Sequence, residues 1–210
     1  SRVLDLGCSG GQFAAVARAS GHHVTGVDVA AAPGVTDRLD RFVQADLDAG
    51  LGEELIVELG DEPFDVVVMG DVLEHVRHPG RLLADARKLL APGGSMLISV
   101  PNFGHWYPRF RTALGAFDYD MRGILDRTHV RFFTRRSLMR LLDDANLRVV
   151  SFDQVGLPLG ALAERSELGV DEHGEFDEQG PGVLAKAECA LAQAWPTMFA
   201  YQFLVKAEPA

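Results

Sequence analysis

"VLDLGCSGGQFAAVARA", residues 3–19, runs a strand-like apolar stretch, a glycine-rich turn and a helix-like stretch in immediate succession. Glycine lets a ligand approach the backbone closely, and the first turn of a helix offers unpaired N–H groups. Strand, glycine turn and helix together open a nucleotide-binding α/β unit. The dinucleotide form of that turn, G-x-G-x-x-G, does not fit. Its three positions counted from Gly7 hold Gly7, Ser9 and Gln12. A tight strand-to-helix turn with no ligand is the bland alternative, and a glycine turn alone does not decide between the two.

Outward from this stretch, strand and helix patterns alternate. Strands are expected at 2–7, 23–29, 41–46, 64–71, 95–100 and 147–155, with a last one at 197–207. Helices are expected at 10–20, 51–60 and 81–91, where Leu82, Leu83, Ala86, Leu89 and Leu90 share one face and the "PGG" at 92–94 stops the run. A further helix carries Leu138, Leu141, Leu142 and Ala145, with Thr134 as its N-cap and Asn146 as its stop. Alternation of this kind predicts one α/β domain over 1–210, a parallel sheet covered by helices on both faces. The glycine turn arrives at position 7, earlier than in most free-standing domains of this type. The expectation is a truncated chain or one excised from a larger protein.

Two segments stand outside the alternation. Residues 103–133 show no clean period and mix aromatics with arginines; they read as an insert or lid over the site. Residues 164–180 are acidic and glycine-containing and read as a solvated loop. The 210-residue chain carries a net charge of −10, which disfavours a nucleic acid partner. The charge is uneven: 103–140 holds eight arginines and three acids, a local +5 against −15 elsewhere. No apolar run approaches the ~20 residues of a membrane span, and no signal-peptide pattern opens the chain. Cys8 and Cys189 suggest no disulfide framework, so a reducing cytoplasm is the expected setting.

The carboxyl edge of an open α/β sheet is where ligands bind. Asp28 ends the second strand, where a carboxylate can accept both hydroxyls of a ribose. Asp46 ends the third, where a carboxylate can accept from an adenine amine while the Leu47 N–H donates to a ring nitrogen. Each acid alone is more often a strand-end solubiliser.

"VLDLGCSGG", "VTGVDV", "VQADL", "FDVVVMGDVLEHV" and "LLAPGGSMLISVPN" together resemble the successive motifs of the class I S-adenosylmethionine (SAM)-dependent methyltransferases. The resemblance covers roughly residues 2–155, and Ser9 stands where glycine is commonest in the first motif. It implies a Rossmann-like, seven-stranded, mostly parallel sheet whose last strand is antiparallel, and SAM as cofactor, with S-adenosylhomocysteine as product. It also implies that Asp5, Gly7, Cys8 and Gly11 line the methionine part. Asp28 with Val29 would hold the ribose and Asp46 with Leu47 the adenine. Gly70, Asp71 and Val72 would flank the sulfonium. "GILDRTHVRFF" (123–133) resembles a subgroup found with sugar and natural-product pathways.

Methyl transfer from a sulfonium needs alignment, exclusion of water and, for an oxygen or nitrogen nucleophile, a base. The base belongs on the segments after strands four and five, which offer His75, His105 and His129, with His129 preferred. A structural hydrogen bond or a helix cap is the competing role for each. No metal-ligand spacing such as H-E-x-x-H or C-x-x-C is present, so no metal is expected. The reading is therefore methylation of a small-molecule acceptor, with arginines of the insert clamping a negative group on it. A SAM-binding module without turnover, or a protein or RNA methyltransferase, remains the alternative. Oligomeric state is not legible.

Overall fold

The computed structural model describes residues 1–60, 62–156 and 190–210. Seven strands form one sheet in the order β3-β2-β1-β4-β5-β7-β6. They are β1 (Arg2–Leu6), β2 (His23–Asp28), β3 (Arg41–Gln44), β4 (Phe64–Gly70), β5 (Leu90–Pro101), β6 (Leu147–Gly156) and β7 (Ala200–Pro209). The first five pair in parallel, whereas β7 runs antiparallel to both β5 and β6. The predicted antiparallel last strand is thus observed, beginning at Ala200. A single helical turn, Pro196–Phe199, occupies the first residues of the span expected to be strand.

Among the described residues, the longer connections carry helices α1 (Gln12–Ala19), α2 (Val35–Arg38), α3 (Glu53–Leu59), α4 (Pro79–Lys88), α5 (Trp106–Ala113) and α6 (Arg135–Asp144). Leu4, Leu6, Val67, Met69, Met96 and Ile98 point to one face and pack with Leu59, Leu82, Leu83, Leu138 and Leu142 of α3, α4 and α6. Val3, Val24 and Val68 point to the other and meet Ala14, Ala17 and Val35 of α1 and α2. This period-two division follows from the alternation of side chains along a strand. Helices thus lie on both faces, as expected. On the α1 face, Leu97 and Leu204 of β5 and β7 remain over a third exposed among the described residues.

Thr134 caps α6 through a reciprocal capping box with Ser137, and Asn146 adopts a left-handed φ of 56° just past its end. The helix expected at 81–91 differs. It starts at Pro79, whose lack of an N–H suits a first turn, and ends at Lys88. Leu90 already belongs to β5, pairing with Phe64. "PGG" lies inside that strand at an irregularity of register, where a side chain on Gly94 would meet the Ala91 and Asp65 carbonyls within 3.0 Å. The insert, expected to be irregular, contains α5. The acidic loop at 164–180 lies outside the described residues.

Candidate cofactor and methyl-transfer site

The glycine turn closes over the end of β1. Gly7 has φ +76°, and a Cβ there would lie 2.5 Å from Val72 Cγ2, so only glycine fits between β1 and the segment after β4. Ser9 adopts φ +47°, which costs a non-glycine residue about 1–2 kcal/mol. Asp28 holds it there: the Ser9 N–H donates to Asp28 Oδ2 at 2.7 Å, and the Val29 N–H donates to Oδ1 at 2.7 Å. Each carboxylate oxygen retains a further lone pair, so Asp28 can still accept from two hydroxyls.

Gly7, Asp28, Val29, Asp46, Leu47, Gly70, Asp71 and Val72, expected as cofactor residues, line one cleft of about 460 Å³, together with Ser9 and His75. Asp46 is exposed and caps the 3-10 turn Leu47–Ala49 by accepting from the Asp48 N–H. Asp5 and Cys8 lie behind the turn, in a second cavity of about 470 Å³ that shares Gly7, Ser9 and Gly70 with the cleft. Burial pushes Asp5 up to about 6, with the Asp28 charge adding to the effect. Burial, then Asp5 and Asp28, pushes the Cys8 thiol up to about 12, so it packs as an inert thiol. Gly11 lines none of these cavities. Its φ of +73° caps α1, and a Cβ there would meet Arg38 and Val35.

Beyond Asp71 the cleft continues into a cavity of about 300 Å³ lined by Asp71, Glu74, His75, Gly123, His129 and Tyr201, with Pro101 and Gln202. Asp71 has φ +55°, a left-handed strain where strand β4 leaves the sheet. Its Oδ1 accepts from Ser99 Oγ at 2.9 Å and from Gln202 Nε2 at 2.6 Å. The His75 and His129 rings meet edge-on with centroids 4.8 Å apart. The Val130 and Arg131 N–H groups both donate to the Glu74 carbonyl, which fixes His129 beside His75. Burial lowers the His129 pKa, the nearby His75 acting in the same direction. Glu74 is 1% exposed, and burial pushes its carboxyl up to about 8, with Asp71 raising it further.

A methyltransferase domain family model matches residues 1–152. The chain belongs to the class I SAM-dependent methyltransferases. Proteins named ubiquinone biosynthesis O-methyltransferase from Aromatoleum aromaticum and Aeromonas salmonicida are 30% and 32% identical to it. These alignments cover 81% and 80% of this chain and 73% and 71% of theirs. One from Maricaulis maris is 39% identical over 48% of this chain and 41% of its own length. A SAM-dependent methyltransferase from Archaeoglobus fulgidus superposes with a TM-score of 0.60 at 19% identity, covering 98% of this chain and 85% of that one. The Burkholderia thailandensis 1,6-didemethyltoxoflavin-N1-methyltransferase, solved with S-adenosylhomocysteine, gives 0.60 at 21% identity, covering 100% and 71%.

In this methyltransferase the three histidines separate. His105 is 2% exposed, accepts from the Tyr107 N–H as the N-cap of α5, and is pushed down to about 4 by burial. It lines none of the three cavities. His75 and His129 face the cavity beyond the cleft. The arginines of the insert do not form the expected anion clamp. Arg111 pairs with Asp120 at 2.7 Å and bonds the Tyr107 hydroxyl. Arg109 donates to the Thr197 carbonyl, and Arg131 donates to the Arg77 carbonyl. Among the described residues, no arginine lines the cleft or either adjoining cavity. Sequence reasoning passed over Glu74, Tyr201 and Gln202. Glu74 was visible as a lone acid in the apolar "VLEHV"; the other two arrive through the register of β7, which no local pattern reveals.

Proposed function

We propose that this methyltransferase transfers the SAM methyl group to a hydroxyl oxygen of a small, uncharged acceptor. The observation that carries this is the continuity of the cleft holding Asp28, Asp46 and Gly70 with the cavity where His75 and His129 converge, joined at Asp71 and His75. Relatives named as O-methyltransferases support oxygen as the receiving atom.

Bound SAM supplies a methyl already activated by its sulfonium. The residues present fit it: a turn whose first position only Gly7 can fill, free N–H groups at the start of α1, and a carboxylate with lone pairs to spare at Asp28. Asp28 orients the ribose, and Asp46 with the Leu47 N–H reads the adenine. The acceptor hydroxyl enters the further cavity, where imidazole lone pairs can take its proton. The Asp71 carboxylate, with no arginine among the described residues of the wall, favours an uncharged acceptor over an anionic one. Lid movement falls to α5 and the exposed aromatics Trp106, Phe110, Phe117 and Tyr119, because 130–133 is tied to Glu74 and Phe103.

Mass spectrometry of small molecules released from the purified protein should recover SAM or S-adenosylhomocysteine. Labelled methyl from SAM should then appear in hydroxylated small molecules and not in RNA or protein. A protein that neither retains nor binds SAM overturns the reading.

A further inference from the structure

Among the described residues, Glu74, His75 and His129 each bring one metal-ligating atom to within 4.8 Å of the other two. Three features of the trio go beyond proximity. First, Glu74 is buried, and neither of its carboxylate oxygens has a hydrogen-bond partner among the described residues. A buried carboxylate without a donor is costly, and a cation is the ligand that relieves it. Second, both imidazoles are oriented from behind. His75 Nδ1 lies 3.3 Å from the Thr128 carbonyl and His129 Nδ1 lies 3.2 Å from the Ile124 carbonyl. A carbonyl can only accept, so each Nδ1 carries the proton and each Nε2 presents a lone pair. Fixing a histidine through a backbone carbonyl in this way is how metal-ligating imidazoles are held. Third, the trio lines a cavity of about 300 Å³, so open positions remain for an exogenous ligand.

We infer that Glu74, His75 and His129 form a binding site for one divalent first-row transition cation at the acceptor end of the methyl-transfer cavity. Two imidazole nitrogens and one carboxylate suit Zn²⁺, Co²⁺ or Mn²⁺. Ligand bonds of about 2.1 Å place donor atoms roughly 3.0–3.4 Å apart at octahedral or tetrahedral angles, so the widest pair closes in by up to about 1.5 Å. Exposed His75 has room to make that adjustment. The sequence offered no such site because the ligands are not on one helix: two are adjacent after β4 and the third is 54 residues later.

The cation's role deepens the O-methylation reading and rests on it; cation binding itself does not. With the cation bound, both imidazole lone pairs are ligands and the ion takes over the role of base: an acceptor hydroxyl that ligates it loses its proton to solvent more readily, as metal-bound water does. The O–C bond then forms as the C–S bond breaks, its electron pair staying on sulfur. A vicinal pair of oxygens on the acceptor would fill two open positions at once.

The test is titration of chelator-treated protein with Co²⁺, followed by visible absorption and calorimetry. SAM affinity is measured on the same samples. One equivalent of Co²⁺ should bind, with ligand-field bands typical of mixed nitrogen and oxygen donors. Changing outer-shell partners alone costs 10–100-fold in affinity, so His75→Ala and Glu74→Gln should each weaken Co²⁺ by about a hundredfold or more, and Glu74→Gln, outside the lining of the cofactor cleft, should leave SAM affinity in place. His75 is exposed, so His75→Ala keeps the test valid even where Glu74→Gln fails to fold. Folded protein that takes up no Co²⁺, Mn²⁺ or Zn²⁺ at about 1 mM overturns the proposal. Binding unchanged in His75→Ala overturns it equally. Cation binding without SAM binding would leave the site standing and remove the methyltransferase reading instead.

Discussion

The Ser9 N–H donates to Asp28 Oδ2 at 2.7 Å, tying the glycine turn to the end of β2 across nineteen residues. Asp28 therefore has two tasks, holding a strained turn in shape and meeting the ribose. Charge-assisted hydrogen bonds contribute roughly 1.5–3 kcal/mol, so Asp28→Ala should weaken SAM binding by about tenfold or more. Calorimetric titration checks this, with circular dichroism to confirm the fold. Unchanged affinity would remove Asp28 from the cofactor site.

Asp46→Asn should be milder. Asn keeps one acceptor oxygen and can go on capping the Asp48 N–H that Asp46 Oδ1 now accepts at 2.9 Å. The same titration should rank its loss below that of Asp28→Ala. A larger loss at Asp46 would reverse the assignment of affinity between ribose and adenine.

Asp5 makes stability depend on pH in a direction opposite to most acids. Its pKa is raised to about 6 from an ordinary 3.8, so the folded state binds that proton more tightly than the unfolded chain does. Stability from Asp5 is full below about pH 4, is lost as pH climbs to about 6, and stays level above. The loss is on the order of 3 kcal/mol. Thermal unfolding across that window should show wild type losing ground to Asp5→Asn as pH rises. Parallel pH profiles for the two proteins would show that Asp5 does not titrate in this way.

His105 and His129 should respond differently to removal. His105→Ala deletes a helix cap and a buried ring, so it should lower the melting temperature through a loss of about 0.5–2 kcal/mol or more. It should leave the turnover of folded enzyme close to wild type. His129→Ala should leave SAM affinity nearly unchanged and reduce turnover by about 10²–10⁴. Full activity in His129→Ala would exclude it from the reaction, and a collapse of turnover in folded His105→Ala would restore His105 to it.

Local signals carried much of the architecture. Gly7, Asp28, Asp46 and Gly70 sit at strand ends, and strand ends are legible because apolar runs stop there. The α6 cap was legible because Thr134 and Ser137 satisfy each other over three residues. "PGG" misled because the same three residues that end a helix also make a tight irregular turn on a strand, and contact with β4 decides which. The arginines misled because their partners, such as Asp120 for Arg111, depend on how the insert folds on itself. The Glu74, His75 and His129 grouping was illegible for a related reason. It needs the backbone of 130–131 to dock on the Glu74 carbonyl, a contact with no periodic signature.

The antiparallel β7 has a consequence for the order in which the molecule is made. Register places Gln202 opposite Pro101, and Gln202 then bonds Asp71 across 131 residues of chain. Every described residue lining the Asp28 cleft lies within the first 76 positions, whereas Tyr201 and Gln202 of the reacting cavity are synthesised near the end. Contacts of such sequence separation form late, because the loop they close must first be ordered. Translation from the N-terminus therefore supplies the described lining of the Asp28 cleft long before the wall that completes the acceptor cavity. A nascent chain halted short of residue 202 would have every residue assigned to hold a methyl donor and no finished chamber in which to discharge it.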